Sequence, residues 1–193
     1  MPALEFETAD DLRAIVTPGL RLAFRWTGDR WTHALEGGPE SGRSVLAQAV
    51  ESNDLSRVVS PAYQQFHSQR TPETIQAMLL GQAGPHHFSA VFTVRELPEG
   101  TDVAVDVADR CRAEVKALAC TYQVLLDSSD LVSADPRKID WNDRGRLEFS
   151  ASERGSVCLS EAGRRFSLVQ AVARIDQACH TQRVLYHWKW LPG

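Results

Sequence analysis

Alternation of apolar and polar residues with a period of two constrains this sequence more than any other feature. In residues 20–26, Leu-Arg-Leu-Ala-Phe-Arg-Trp, the two leucines, the phenylalanine and the tryptophan share one face of an extended segment, and both arginines lie on the other. Residues 88–94, 102–108 and 183–190 have the same kind of pattern. A period of two predicts half-buried β-strands rather than amphipathic helices.

Turn-forming residues separate such segments along the whole chain. Roughly ten to twelve short strands, with turn signals about every 8–12 residues, are typical of an antiparallel sandwich or barrel. The clearest hairpin joins Trp26 to Trp31 through Thr-Gly-Asp-Arg, and the two indoles are predicted to form a cross-strand pair. We therefore predict a mainly β fold: a single-domain antiparallel β-sandwich or barrel with at most two short helices.

Four segments have less regular patterns. Residues 8–16 are predicted to begin a short helix, because Thr8 or Asp10 can act as the N-cap. Residues 44–51 fit a strand or a short helix equally well. Pro61 interrupts a strand pattern over 57–67, which is typical of a sheet edge, and residues 127–138 are predicted to be the longest polar loop.

Length and composition are those of one globular domain. A chain of 193 residues, with 43% apolar and 24% charged residues, can bury a core without disulfides or metals. We therefore expect residues 1–193 to form one β-rich domain.

The charge pattern bears on the partners of the protein. The net charge is −4, and no cluster of basic residues is present to neutralise phosphates, so we expect no nucleic-acid binding. No apolar run approaches the roughly 20 residues that a membrane helix needs, and the acidic start of the chain lacks the features of a secretory signal. These observations predict a soluble, cytoplasmic protein without a membrane partner; its oligomeric state stays open.

The cysteine and histidine spacings argue against a metal site or a cofactor. The four cysteines, Cys111, Cys120, Cys158 and Cys179, form no C-x-x-C motif, and each lies in a predicted strand, so we expect buried, reduced thiols. His86 and His87 would point to opposite faces of a strand, and a turn with one exposed imidazole is favoured over a metal site. Nucleotide-binding motifs and the nucleophilic motif G-x-S-x-G are also absent.

A group of residues suited to acid–base chemistry or to binding an anionic ligand lies near the end of the chain. Arg174 and Asp176 are predicted to share one face of a strand, and a turn over 177–181 would bring Arg183 back beside them. The full set of candidate ligand-binding residues is Arg174, Asp176, His180, Arg183, His187 and Asp106. Cross-strand ion pairs on a solvated face would explain the same residues without any ligand.

The sequence leaves two functions open. The first is a non-catalytic binding or interaction domain for a polar or anionic ligand or a protein partner. The alternative is a small cofactor-independent hydrolase or isomerase that uses a His/Asp/Arg cluster on the sheet. The tryptophans are better explained by packing than by ligand stacking, because Trp188 alternates with apolar residues and is expected to be buried, whereas Trp141 lies in a polar stretch.

Overall fold

The computed structural model describes most of the chain. It covers residues 4–51, 54–55, 57–125, 131–135, 138–141, 144–151, 155–161 and 166–193, and within these ranges only the backbone is described at 131–135, 141, 155–161 and 166–167.

Sixteen strands and one short 3₁₀ turn account for the secondary structure of the described residues. In chain order the strands are β1 (Glu5–Ala9), β2 (Leu12–Val16), β3 (Leu20–Trp26), β4 (Trp31–Gly37), β5 (Ser44–Ala49), β6 (Gln65–Arg70), β7 (Thr74–Ala83), β8 (His86–Leu97), β9 (Gly100–Cys111), β10 (Ala119–Leu125), β11 (Leu131–Asp135), β12 (Lys138–Trp141), β13 (Gly145–Ala151), β14 (Gly155–Glu161), β15 (Phe166–Ala173) and β16 (Thr181–Pro192). The 3₁₀ turn spans Glu40–Gly42. No helix in the described part of the chain is long and apolar enough to cross a bilayer.

The strands form two eight-stranded antiparallel sheets. Sheet I has the order β1-β2-β3-β4-β5-β10-β15-β14, and sheet II has the order β11-β12-β13-β16-β9-β8-β7-β6. Neither sheet closes on itself, so the predicted mainly β fold is confirmed and the sandwich is the architecture that forms. The chain changes sheets repeatedly after β9, which places β10 beside β5 and β16 in the middle of sheet II.

Aromatic side chains fill the space between the sheets. Phe24 of sheet I meets Phe92 of sheet II edge-on, with ring centroids 5.2 Å apart. Trp188 packs in the same layer against Tyr122 at 5.0 Å and against Phe149 at 4.4 Å. Edge-on and tilted ring contacts of this kind stabilise the packing beyond the contribution of the buried ring area.

The alternation read from the sequence describes the inner faces well. In β16, alternate residues are buried, including Trp188 at 1% exposure, as predicted. Trp26 and Trp31 lie opposite each other across the β3–β4 hairpin, with ring centroids 5.6 Å apart, which confirms the predicted pair. Trp141 belongs to β12, and its side chain lies outside the described set.

Three local predictions are wrong. Residues 8–16 form no helix, because Glu5–Ala9 and Leu12–Val16 pair as a hairpin that joins β3. Cross-strand pairing with a neighbouring sheet overrides the weak preference of a single N-cap residue. Residues 127–138 are not all loop, since β11 lies within them, although part of this segment falls outside the described residues. Cys179 lies exposed in a loop rather than buried in a strand.

Two uncertain segments are resolved by tertiary pairing. Residues 44–49 form a strand, β5, which pairs with both β4 and β10. The strand predicted around Pro61 begins only at Gln65, and it lies at an edge of sheet II as expected.

Between β5 of sheet I and β6 of sheet II, the described residues are 50–51, 54–55 and 57–64, which we call the strap. Val58 bridges Leu118 just before β10, and Trp31 donates its backbone N–H to Tyr63 O at 2.7 Å. The strap passes so close to β7 that a Cβ on Gly81 would lie 2.7 Å from Tyr63 Cα and would also clash with Ala62 O. Glycine is therefore required at this crossing.

The aromatic layer leads to a first prediction. Trp188→Ala should lower the free energy of unfolding by about 3–5 kcal/mol, because it removes a fully buried ring from the contact between the sheets. The matched variant Trp26→Ala should cost clearly less, since Trp26 is only half-buried at the end of β3. Urea denaturation midpoints measure both changes, and equal losses would contradict this account of the core.

Candidate functional site

Three of the residues predicted from the sequence lie on the outer face of sheet II. Arg183 grips Asp106 through two hydrogen bonds, with Nε donating to Oδ1 at 2.6 Å and Nη2 donating to Oδ2. His187 Nδ1 lies 3.6 Å from Asp102 Oδ1 on the same face. Arg183 and His187 are both about half exposed, so Arg183–Asp106 is a cross-strand ion pair in contact with water and His187–Asp102 is a solvated cross-strand contact.

The other three predicted residues lie in the loop before β16. Because β15 ends at Ala173, Arg174 and Asp176 do not share a strand face, which corrects the expectation. Asp176 Oδ1 accepts the backbone N–H of Ala178 at 2.9 Å, and the carbonyl of His180 accepts the N–H of Cys111 at 2.8 Å. The structure therefore divides the six residues into two groups and pairs Arg183 with Asp106 rather than Asp176.

A different group of residues surrounds an opening in sheet I. Strands β4 and β5 pair only from Ala34 and Gln48 onward, with a register shift after Leu35. Toward Trp31, at the other end of β4, the two strands are not paired, and the strap fills part of the gap between them. We call the remaining opening the window. Its lining in sheet I and the strap consists of residues 31–33, 49–51, 60, 61, 63 and 120–122. Tyr186 of sheet II also lines it.

The window is small, and a larger cleft lies over it. Its free volume of ≈ 20 Å³ has room for about one water molecule. The cleft has a free volume of ≈ 390 Å³ on the outer side of sheet I. Thr32, Ala49, Val50 and Glu51 line both, so the two are adjacent. Thr27, Gln48 and Gln123 complete the lining of the cleft.

A chain of hydrogen bonds crosses the core beneath the window. His33 Nε2 lies 2.8 Å from Tyr122 Oη, and Tyr122 Oη lies 2.5 Å from Tyr186 Oη. The first two residues come from sheet I and the third from sheet II, so these bonds join the two sheets. Phe92 packs edge-on against the imidazole, with ring centroids 4.8 Å apart.

Burial keeps this chain uncharged at neutral pH. Desolvation lowers the pKa of His33 to about 3 and raises the pKa of Tyr122 and of Tyr186 well above the ordinary tyrosine value. The nearby thiol of Cys120 has its pKa raised to about 12 for the same reason. The imidazole is therefore a weak base, and neither the phenols nor the thiol is activated as a nucleophile.

The neutral chain has two possible proton arrangements. If Tyr122 donates to His33 Nε2, the imidazole proton lies on Nδ1; if Nε2 donates to Tyr122, Nδ1 is an acceptor. Among the described residues none hydrogen-bonds to Nδ1, and the ring lines the window. His33 can therefore offer either a donor or an acceptor to a group that enters the window.

The sequence alone does not reveal this site, because its parts are far apart in the chain. His33 and Tyr122 are 89 positions apart, and Tyr122 and Tyr186 are 64 apart. One signal is present: His33 occupies an inward position of an alternating strand, between Trp31 and Leu35. A polar residue at a core position indicates a buried hydrogen bond, but not its partner.

The turn predicted at His86 and His87 is wrong, because both residues belong to β8, where adjacent side chains point to opposite faces of the sheet. His86 is buried and His87 is exposed. Within the described ranges, no three residues among the histidines, cysteines, aspartates and glutamates come close enough together to hold a metal ion.

Comparison with known proteins adds no assignment. No model of a protein family matches the sequence, and no curated protein shows significant similarity to it.

The buried imidazole leads to a second prediction. An unfolded histidine takes up a proton near pH 6.5, whereas His33 in the folded protein takes one up only near pH 3. Its contribution to stability is thus complete above about pH 6.5 and decreases as the pH falls, by up to about 1.4 kcal/mol per pH unit.

Urea unfolding of the wild type and of His33→Gln between pH 7 and pH 4 measures this effect. The wild type should lose its advantage over the variant as the pH falls. The control His87→Gln removes an exposed imidazole and should follow the wild type. Parallel curves for the wild type and His33→Gln would mean that His33 is protonated normally.

Proposed function

We propose that this protein is a non-catalytic binding domain for a small, uncharged polar ligand, held in the cleft with one polar group inserted into the window. The observation that carries the proposal is the neutral His33–Tyr122–Tyr186 chain beneath an opening that leads to solvent. Small-molecule sites commonly combine a few well-placed polar groups with a largely apolar surround.

The lining of the cleft supports an uncharged ligand. Thr27 and Thr32 have hydroxyl groups, and Gln48 and Gln123 have carboxamides, each of which can donate and accept hydrogen bonds. The one charged residue among the described lining residues is Glu51, and no cationic residue is among them. A ligand rich in hydroxyl or amide groups fits this set better than an anion does.

The size of the window limits what enters it. A free volume of ≈ 20 Å³ accommodates the end of a ligand, such as a hydroxyl or a carbonyl oxygen, in place of one water molecule. The weakly basic imidazole and the un-ionised phenols favour hydrogen bonding over proton transfer. Binding is therefore the better-supported function, and no observation favours the alternative hydrolase or isomerase.

A cytoplasmic location is part of the same proposal. Cys111 and Cys120 are buried as free thiols, and Cys179 is exposed and free. Unpaired cysteines of this kind suit a reducing compartment.

The third prediction tests binding at the window. Trp31 lines the window, so its fluorescence should report ligands without a label. We expect saturable changes with members of a panel of neutral sugars, polyols and primary amides, and none with acetate or phosphate. Thr32→Val, which removes a hydroxyl shared by window and cleft, should weaken binding at least tenfold while the denaturation midpoint changes little.

The matched control is Arg174→Ala. This residue belongs to the site predicted from the sequence and lines neither the window nor the cleft, so its loss should leave binding unchanged. If Arg174→Ala abolished binding and Thr32→Val did not, the ligand would bind near the loop before β16. If no member of the panel bound, the proposed ligand class would be wrong.

A further inference from the structure

The outer face of sheet II carries a group of apolar side chains in its middle that are in contact with water. On β7 these are Met78, which is partly exposed, and Leu80, which is 44% exposed. Val91 of β8 and Leu185 of β16 point outward as well and are also partly exposed. Exposed apolar side chains that lie together, with polar residues around them, are typical of a contact surface for another macromolecule.

Strand pairing aligns the outward residues of β7, β8, β9 and β16 in rows across the sheet. The central row consists of Met78, Val91, Asp106 and Leu185. The rows on either side consist of Gln76, Thr93, Ala104 and His187, and of Leu80, Ser89, Ala108 and Arg183. Asp106 and Arg183 are already joined by two hydrogen bonds, and most of the other residues in the three rows are small or uncharged.

A row of charged residues with alternating sign borders this middle region. Arg95 of β8 pairs with Asp102 of β9, and Asp102 pairs in turn with Lys189 of β16. The row continues with Glu148 of β13 and Lys138 of β12. A largely uncharged centre with a charged margin is the usual anatomy of a protein–protein interface.

An alternating row of charges can be complementary to a copy of itself. A second copy can pack face to face about a twofold axis that runs along the strands between β8 and β9. Each outward residue of β8 then faces the β9 residue with which it pairs in its own chain. Arg95 faces Asp102 of the second copy, and Asp102 faces Arg95 of the second copy, so one axis satisfies both contacts.

The same axis also brings apolar residues together. Strands β7 and β16 flank β8 and β9, so β7 of one copy faces β16 of the other. Met78 then faces Leu185 of the second copy, because both lie in the central row. A twofold axis perpendicular to the strands at this row would instead set Asp106 against Asp106 of the second copy. Charge therefore favours the axis that runs along the strands.

The face is large enough for a stable dimer. Four strands about 4.8 Å apart, each with a rise of about 3.4 Å per residue over the length of residues 74–82, cover about 600 Å² on each copy. Two such faces exceed the roughly 1,000 Å² in total that a specific interface needs. Sheets also pack readily face to face, because their pleated surfaces interdigitate.

We propose that the outer face of sheet II, formed by β7, β8, β9 and β16, binds a second copy of this chain about a twofold axis along the strands between β8 and β9. The cleft lies on the outer side of sheet I, so the clefts of both copies point away from the interface and remain open. The dimer does not depend on the proposed binding of a ligand.

The fourth prediction concerns association of the wild-type protein. Sedimentation velocity between about 1 and 100 µM should show a reversible equilibrium between monomer and dimer. Met78→Glu sets a carboxylate against Leu185 of the second copy and should raise the dissociation constant about tenfold or more. The matched control Arg25→Glu places the same side chain at an exposed position on the outer face of sheet I and should leave the dissociation constant unchanged.

A pair of charge reversals tests the axis itself. Arg95→Glu makes both positions negative and Asp102→Arg makes both positive, so each variant alone should associate about tenfold or more weakly than the wild type. An equimolar mixture of the two variants should recover the dimer, because every charge of one chain then faces an opposite charge of the other. Mixing leaves the stability of each chain unchanged, so a defect within one chain cannot produce this recovery.

The possible outcomes are distinct. A wild type that remains monomeric at about 100 µM would contradict a second copy as the occupant of this face. A dimer that is insensitive to Met78→Glu and to both charge reversals would use another surface, and a mixture that associates no better than its components would contradict the axis. Urea denaturation midpoints show whether each variant is folded, and Leu185→Glu replaces Met78→Glu if that variant is not.

This proposal and the proposed function can fail separately. The variants of sheet II retain every described residue that lines the window and the cleft, so they should bind members of the ligand panel as the wild type does. A dimer with the expected sensitivity to mutation, without any ligand from the panel, would support the interface and contradict the proposed ligand class. Ligand binding by a strictly monomeric wild type would do the reverse.

Discussion

The packing of aromatic rings between the two sheets is the interaction on which the rest of this structure depends. Phe24 against Phe92 and Tyr122 against Trp188 bring together residues of different sheets, at centroid distances of 5.2 and 5.0 Å. These contacts fill the space between the apolar inner faces of the two sheets, which are thereby removed from water. They also set the environment of every polar group in the layer, because a side chain among these rings loses its hydration.

The two buried polar units answer this loss of hydration in different ways. His33 remains neutral, with its pKa lowered to about 3, and is hydrogen-bonded to Tyr122, which is bonded in turn to Tyr186. In the second unit, His86 Nδ1 lies 2.7 Å from Asp109 Oδ2, and burial raises the pKa of the Asp109 carboxyl group. In both cases burial disfavours the charged form of the side chain, because an ion in this layer would be costly without full hydrogen bonding.

The strap connects these two units. It passes over Gly81, where no larger residue fits, and fills part of the gap that β4 and β5 leave in sheet I. Several of its residues line the window, and the carbonyl oxygen of Leu55 lies 2.9 Å from His86 Nε2. Described residues of the strap that belong to no named strand thus shape the candidate binding site, while the neighbouring strands provide a frame for it.

The sequence by itself determined the strand class, the inward faces of strands such as β16 and the hairpin between Trp26 and Trp31. These features depend on residues that are close together in the sequence. A period of two can therefore be recognised without knowing which strand is the partner. Short polar segments were harder to predict: residues 8–16 resemble a capped helix until their pairing with β3 is known.

Only the tertiary structure decided which strands are neighbours, and with that the site. Alternation cannot show that β15 ends at Ala173 or that Arg183 reaches Asp106 on β9. His33, Tyr122 and Tyr186 come together because β10 returns to sheet I and β16 enters the middle of sheet II. Local patterning carries no information on such long-range pairings, so a hydrogen-bonded group assembled from three distant strands becomes visible only in the folded chain.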